Sequence, residues 1–258
     1  MIDISLLAPP KVREFVRDGY TVIRNAVPPP LIDEALRSIN HQIGEGIHPE
    51  DLPAYRAGSY FPDITTKTAI TDLVNKTAIY SYVETLIGIN SILPVTQGQI
   101  ALRFPILDGD TVKPNYHLDG QWGKFKNVNP EEFGANFSVL VYVMLNDMQE
   151  SDCGNFTVIP GTHRLYEQHF REKGVDAFSK GMRKVEHGSP VQLTGSAGDI
   201  ALMHYQLAHG PARNLSANIR YAAFFRLKNS SRDSYKHKTP TNIWLDFPAI
   251  SHLVATEN

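Results

Sequence analysis

The sequence predicts an α+β fold in which a β-sandwich or jelly roll is packed against outer helices. Up to about Ile87, apolar residues recur every three or four positions, which indicates amphipathic helices. From about Gln97 onwards, short segments rich in β-branched and aromatic residues are bounded by Gly, Pro, Asn or Asp. This second pattern is typical of strands joined by turns.

The helical part of the chain is predicted to contain three helices and one short strand. The segment KVREFVRDGY has apolar residues at helical spacing and ends at Gly19, a helix-terminating residue. A short strand is expected from Tyr20. A second helix runs from Leu31 to about Gly44 with an apolar stripe along one side, and a third covers about Asp72 to Ile87.

Five segments are predicted to form the β-structure: QIALRFP, NFSVLVYVML, NFTVIP, GDIALMHY and IRYAAFFRL. Two long polar stretches separate some of them, GQWGKFKNVNPEEFGA and the segment from Leu165 to Pro190. We predict both as loops, and loops of this length are commonly functional lids or binding segments.

Composition limits the classes of protein to which the chain can belong. A hydrophobic content of 42% with 20% charged residues is that of a globular protein, and a single domain over residues 1–258 is expected. The net charge of -2 predicts no binding to nucleic acid or to a membrane surface. Cys153 is the only cysteine, so the chain has no internal disulfide, and a reducing, cytoplasmic location is expected. No feature indicates an oligomeric state.

A candidate metal-binding pair occurs in NYHLDGQWG. In an extended segment alternate side chains share a face, so His117 and Asp119 point the same way and Leu118 can face the core. The segment His48-Pro49-Glu50 offers a second pair of the same chemical type, but it precedes the predicted strands.

Two histidines compete as the third ligand in GDIALMHYQLAHGPARNLSANIR. His204 lies inside a strand-like run, which favours a core position, whereas His209 precedes a turn-rich segment. Arg220 follows His209 by eleven residues. If the turn between them joins neighbouring antiparallel strands, both side chains reach one cavity across the ladder. Two His and one carboxylate on one face of a metal leave three positions open, as in non-haem Fe(II) oxygenases.

These residues, in this order, resemble the phytanoyl-CoA dioxygenase family of Fe(II)- and 2-oxoglutarate-dependent oxygenases. The resemblance extends to EFVRDGYTVIRNAVPPPLIDEAL, to LNDMQESDCGNFTVIPGTHR and to the closing segment around His209 and Arg220. Together these stretches cover residues 11 to 228. The resemblance implies a double-stranded β-helix (jelly-roll) core with flanking N-terminal helices.

The resemblance also implies a reaction and its cofactors. His117, Asp119 and His209 would bind Fe(II). Arg220 would bind the far carboxylate of 2-oxoglutarate, because a guanidinium is a forked and permanently charged donor that suits a carboxylate. With O2, such enzymes hydroxylate an aliphatic C–H and release succinate and CO2. The carboxylate of Asp119 argues against a halogenase, because related halogenases have a small residue at this place.

Further positions are predicted with supporting roles in a site for a small polar or anionic substrate. The predicted neighbours of 2-oxoglutarate are Gln99, Tyr142 and Ser216, and the predicted substrate-binding residues are Trp122, Arg56 and Tyr60. Two alternatives of other classes stay open at this stage. One is a catalytically silent metal-binding module, and the other is a cupin-like isomerase or lyase, which would not need Arg220.

Overall fold

The computed structural model describes residues 6–107, 116–119, 136–174 and 187–254. Within these ranges it contains seven α-helices, several short 3-10 helices and eight β-strands. The α-helices are α1 (Pro9–Asp18), α2 (Pro29–Glu45), α3 (Leu52–Ala57), α4 (Thr68–Asn75), α5 (Ile79–Ile87), α6 (Thr162–Lys173) and α7 (Ser251–Val254). The strands are β1 (Tyr20–Ile23), β2 (Gln99–Arg103), β3 (Val139–Met144), β4 (Phe156–Val158), β5 (Val191–Gln192), β6 (Ile200–His204), β7 (His209–Pro211) and β8 (Arg220–Leu227).

The strands form two antiparallel sheets. The larger sheet has the order β1-β6-β3-β8-β2, and the smaller one has the order β5-β4-β7. Their inner faces meet through aromatic side chains. Phe156 of the smaller sheet stacks on Tyr142 of the larger one and packs at a tilt against Phe224, with ring centroids 5.0 Å apart in both cases. These sheets and the surrounding helices confirm the predicted α+β fold, while the jelly-roll connectivity stays a prediction.

The central strand β3 is buried along its whole length, which explains its unbroken apolar sequence VLVYVM. Helix α1 contributes Val12, Phe15 and Val16 to the same core and ends at Gly19, which adopts a left-handed conformation (φ 81°). The predicted first helix, first strand and second helix are therefore confirmed. Within the described part of the chain, no helix is long and apolar enough to cross a bilayer.

Two predicted elements are wrong in detail. The single helix expected over Asp72 to Ile87 is broken between α4 and α5, because the Thr77 hydroxyl donates to the carbonyl oxygens of Leu73 and Val74 and so replaces the next helical turn. The stretch after Leu165, expected as a loop, begins inside α6. Its buried Tyr166 and Phe170, four residues apart, give this polar helix an inward side.

Candidate active site

The three predicted metal ligands converge at one point. Their ligand atoms all lie within 4.8 Å of one another, and His117, Asp119 and His209 are the one such cluster found among the described residues. Asp119 Oδ1 lies 3.5 Å from Nε2 of His117 and 3.5 Å from Nε2 of His209. Two imidazoles and one carboxylate in this arrangement fit a divalent transition metal such as iron.

Backbone pairing holds the two histidines together. The His117 N–H donates to the His209 carbonyl oxygen at 2.8 Å, and the His209 N–H donates to the His117 carbonyl oxygen at 3.0 Å. This bridge brings the His-x-Asp segment against β7, and the two imidazole rings lie 4.7 Å apart. Leu118 is 3% exposed and packs with Ile159 on the opposite side, as the alternation of extended residues predicts.

The ring nitrogens of His209 have separate partners. Nδ1–H donates to the Leu207 carbonyl oxygen at 2.9 Å, so the lone pair of Nε2 is directed at the site. Burial alone raises the pKa of the Asp119 carboxyl, but hydrogen bonds to His117 and His209 and the charge of Arg226 hold that pKa well below its usual value. Asp119 is therefore a carboxylate throughout the physiological pH range.

A second part of the site is formed by two facing arginines. Arg220 begins β8 and lies directly opposite Arg103 of β2 in the antiparallel register. Arg220 is 2% exposed and donates to the carbonyl oxygens of Gly154 at 2.8 Å and Ala101 at 2.9 Å. Burial lowers the pKa of Arg220 to about 10, so the side chain is still charged at neutral pH. Burial also lowers the pKa of Arg103, whose buried Nε has no hydrogen-bond partner among the described residues.

Gly154 makes this close pairing possible. Its φ of 77° is in the left-handed region, and a Cβ at this position would lie 2.9 Å from the Cβ of Arg103 and 3.1 Å from the Cβ of Arg220. A glycine here lets the backbone approach both arginines and present its carbonyl oxygen to Arg220. The buried guanidinium of Arg220 and the partly buried one of Arg103 lie on paired strands and repel each other, which favours an anion bound between them.

The metal cluster and the arginine pair line one pocket between the two sheets. The pocket holds about 690 Å³, counted out to its open mouth. The residues predicted from the sequence that line it are His117, Asp119, His209, Arg220, Gln99, Arg56 and Tyr60. Arg103, Phe224 and Arg226 also line it, and Asp119 is the one carboxylate among the described lining residues.

The remaining predicted site residues lie elsewhere. Tyr142 is fully buried behind Phe156, with burial raising the pKa of its hydroxyl to about 12. Ser216 lies in the turn before β8, where its hydroxyl donates to Asn214 and to the Asn218 carbonyl oxygen. Neither side chain belongs to the pocket lining, and their predicted contacts with 2-oxoglutarate stay predictions. Trp122 lies outside the described residues.

The predicted relation between His209 and Arg220 is wrong in its geometry. The turn between them does not join neighbouring strands, because β7 pairs with β4 in the smaller sheet and β8 pairs with β3 and β2 in the larger one. The two side chains reach the same pocket from facing sheets instead. The chain crosses from one sheet to the other in the turn-rich segment, which Asn214 fixes by donating to the Arg103 and Asn218 carbonyl oxygens.

Sequence reasoning did not find Arg103 as a site residue, nor the contact of Arg226 with Asp119, although strand alternation contains the signal. Arg103 follows the predicted Gln99 by four positions on β2, and Arg226 follows Arg220 by six on β8. Even spacing puts both on the pocket face of their strands. Arg226 donates to Asp119 Oδ2 from Nε at 2.9 Å and from Nη2 at 2.6 Å.

Comparison with known proteins agrees with this arrangement. The model of the family described as phytanoyl-CoA dioxygenase (PhyH) matches residues 15–222, most of the chain. The chain belongs to the phytanoyl-CoA dioxygenase family. The matched range contains the three clustered ligands and Arg220, so the resemblance inferred from short motifs is confirmed over the length of the fold. The comparison with curated protein sequences gives no significant match.

Solved structures with a similar fold include several non-haem enzymes. EctD from S. alaskensis, in its apoform, is 15% identical with a TM-score of 0.57, and the match covers 86% of this chain and 77% of that one. The epimerase SnoN, solved with Fe3+, alpha ketoglutarate and nogalamycin RO, is 15% identical with a TM-score of 0.53, covering 86% and 83%. HygX from Streptomyces hygroscopicus is 19% identical with a TM-score of 0.52, covering 88% of each chain. At these identities the likeness shows a shared fold, and the cofactors named for SnoN agree with the iron and 2-oxoglutarate predicted here.

Proposed function

We propose that the protein is an Fe(II)- and 2-oxoglutarate-dependent dioxygenase that hydroxylates an aliphatic C–H of a small molecule and releases succinate and CO2. The protein would be a single domain whose core is a double-stranded β-helix. The observation that carries the proposal is the convergence of His117, Asp119 and His209 in one pocket with the buried Arg220. A metal cluster alone fits many activities, whereas a cluster with a buried carboxylate-binding group fits this reaction class.

The chain supplies a binding group for each cofactor. His117, Asp119 and His209 would hold Fe(II), with the orientation of His209 set by its bond to Leu207. Once bound, iron and 2-oxoglutarate supply, with O2, the oxidising chemistry that removes hydrogen from an unactivated carbon. The protein's own contribution is to fix the ligand geometry and to hold both reactants in a shaped pocket.

Arg220 is the proposed partner of the far carboxylate of 2-oxoglutarate. Its Nε and one Nη are already held by the carbonyl oxygens of Gly154 and Ala101, so the direction of the guanidinium is fixed before the cosubstrate binds. Arg103 lies across the ladder, and its buried Nε has no partner in the part of the chain that the structure describes. A carboxylate between the two would relieve the repulsion and receive charge-assisted hydrogen bonds from both.

The substrate would enter from the open mouth. Arg56 and Tyr60 line the pocket on the side of α3, and Gly58 between them lies beside Gln99. With four arginines and one carboxylate among its described lining residues, the pocket favours a polar or anionic molecule. Which hydrogen atom faces the metal decides the outcome of the reaction, and hydroxylation is the outcome we propose.

The test separates this function from its two alternatives. Anaerobic addition of Fe(II) and 2-oxoglutarate should produce a weak charge-transfer band in the visible spectrum, and aerobic incubation with a metabolite library should release succinate. A catalytically silent module would give the band without succinate, and a cupin-like isomerase or lyase would give neither. In Arg220→Ala the band should need far more 2-oxoglutarate, and an unchanged requirement would contradict the assignment of Arg220.

A further inference from the structure

The two oxygens of the Asp119 carboxylate have different surroundings. Oδ1 faces the metal position, 3.5 Å from Nε2 of both His117 and His209. Oδ2 accepts two hydrogen bonds from Arg226, from Nε at 2.9 Å and from Nη2 at 2.6 Å. An unrestrained carboxylate can bind a metal through one oxygen or both, so this division affects how the site is filled.

Arg226 is itself held in place. Its Nη1 donates to Gln99 Oε1 at 2.8 Å, and the guanidinium carbon lies 5.6 Å from the centre of the Phe137 ring. Gln99 is fixed in turn by donating from Nε2 to the Gly58 carbonyl oxygen. The two groups that constrain Arg226, Gln99 and Phe137, thus come from different segments of the fold, which gives the fork a defined direction.

We propose that Arg226 is a positioning residue that keeps Asp119 a ligand through Oδ1 alone. A carboxylate oxygen has two lone-pair sites, and the two N–H groups of Arg226 occupy both sites of Oδ2. Oδ2 then has no electron pair directed at the metal. This inference rests on the proposed function, because it concerns the same metal position.

Single-oxygen binding matters because the site must hold several groups at once. Two imidazoles and one carboxylate oxygen leave three of six positions open, which suffices for a bidentate 2-oxo acid and for O2. If Oδ2 also bound the metal, one of those three positions would be lost. Arg226 therefore protects the position that O2 needs.

The test compares Arg226→Met with Arg213→Met as a matched control. Arg213 makes the same pair of contacts, from Nε and Nη2 to a single oxygen of Asp152, but Asp152 is not part of the metal cluster. Mn(II) is used as a probe, and relaxation of water protons reports how many waters the ion keeps. Nitric oxide binding to the anaerobic Fe(II) and 2-oxoglutarate form reports the position left for O2.

In Arg226→Met, Mn(II) should bind at least as tightly as in the wild type, while its water relaxation falls by about one third, from three open positions to two. Nitric oxide binding should weaken by about ten-fold or more. Arg226→Lys, which retains the charge but not the fork, should give intermediate values, and Arg213→Met should match the wild type in both measurements.

Wild-type relaxation and nitric oxide affinity in Arg226→Met would overturn the proposal. Loss of Mn(II) binding in that variant would also overturn it, because Arg226 would then be needed for the ligand itself. If Arg226→Met does not fold, Arg226→Gln is measured in the same way. Its amide would donate one hydrogen bond to Oδ2 in place of two, which leaves one lone pair of Oδ2 free to bind the metal. A wild-type protein that binds neither Mn(II) nor 2-oxoglutarate would instead contradict the proposed function.

Discussion

Two regions of the molecule bury the same kinds of side chain for opposite purposes. One is the pocket with His117, Asp119, His209 and Arg220. The other, which we call the buried polar cluster, consists of His163, His204, Arg232 and Asp246 and lies behind α1. Both contain two histidines, an arginine and an aspartate, so residue type alone does not distinguish a site from a structural core.

The direction of the polar atoms distinguishes them. In the buried polar cluster His204 donates from Nε2 to the Ile243 carbonyl oxygen and accepts the Gln206 N–H at Nδ1, so both ring nitrogens are used. Arg232 and Asp246 form an ion pair in which both side chains are fully buried. In the pocket, Nε2 of both histidines and Oδ1 of Asp119 converge on one point. Polar atoms that converge on an open space indicate a ligand, whereas polar atoms paired with each other hold the fold together.

The largest expected effect comes from replacing His204 and His209, one at a time, by alanine. His209→Ala should weaken Fe(II) binding by more than about 100-fold and should destabilise the metal-free protein less than His204→Ala does, because the His209 ring makes one hydrogen bond, to Leu207. His204→Ala should leave Fe(II) binding nearly unchanged and destabilise the protein more, since it removes a fully buried ring with two hydrogen bonds. Iron titration and thermal unfolding of both variants would check this. Loss of iron binding in His204→Ala, with the protein folded, would contradict the division into two regions.

The buried ion pair should give the next largest effect. Asp246→Ala should lower the free energy of unfolding by about 3–5 kcal/mol, because it leaves the guanidinium of Arg232 buried without its partner. Chemical denaturation measures this loss. Asp233→Ala is a suitable control, since Asp233 pairs with the nearby Lys228 at the surface, and it should cost far less. An Asp246→Ala protein as stable as the control would show that the pair has no structural role.

Acid should destabilise the fold through the buried polar cluster. Burial lowers the pKa of His163 to about 3, whereas the unfolded chain has the ordinary value of about 6.5. Between these two values the unfolded state binds the extra proton, so the free energy of unfolding falls as the pH falls. For His163 alone the slope approaches about 1.4 kcal/mol per pH unit well below pH 6.5.

His163→Asn should remove this part of the pH dependence, as shown by denaturation at several pH values between 6.5 and 4.5. His41 provides the control, because it is an exposed histidine near Glu45. His41→Asn should retain the wild-type slope. Equal slopes for His163→Asn and the wild type would mean that His163 is not held neutral in the folded protein.

The contrast between the regions also explains what the sequence could predict. Long elements with strong periodicity, such as α1, α2 and β3, were predicted correctly because local pattern decides them. The strands β5 and β7 contain two and three residues, too few for any pattern, and exist because β4 lies between them. For the same reason the sheet that carries His209 could not be assigned from the turn after it.

In the site, His117, Asp119, His209 and Arg220 were predicted from their spacing together with the resemblance to the phytanoyl-CoA dioxygenase family. Predicting the roles of Arg103 and Arg226 would have required the strand pairing, because each role depends on a residue across the ladder or across the pocket. Arg103 is significant only through its position opposite Arg220, and Arg226 through its reach to Asp119. Neither relation is local in sequence, so strand alternation indicated a shared face without indicating a function.

The smallest expected effect is also the most discriminating, because it has opposite signs in the two regions. Removing one partner from the buried polar cluster destabilises the fold, as for Asp246. Removing Arg103 from the pocket should stabilise the metal-free protein, by about 0.2–1 kcal/mol, because Arg103 and Arg220 are like charges on directly opposite residues. Arg103→Met retains most of the apolar stem and removes the charge, and denaturation of the apo-protein measures the gain.

The same substitution should weaken 2-oxoglutarate binding about ten-fold, because a charge-assisted bond to the far carboxylate is lost. Arg56→Met is the control: Arg56 lines the same pocket but is exposed, so removing it should leave apo-protein stability nearly unchanged. A gain in stability together with a loss of cosubstrate affinity would mean that Arg103 and Arg220 destabilise the apo-protein by their repulsion and together bind the cosubstrate. If Arg103→Met lost stability instead, Arg103 would belong with the structural residues, and Arg220 alone would bind the cosubstrate.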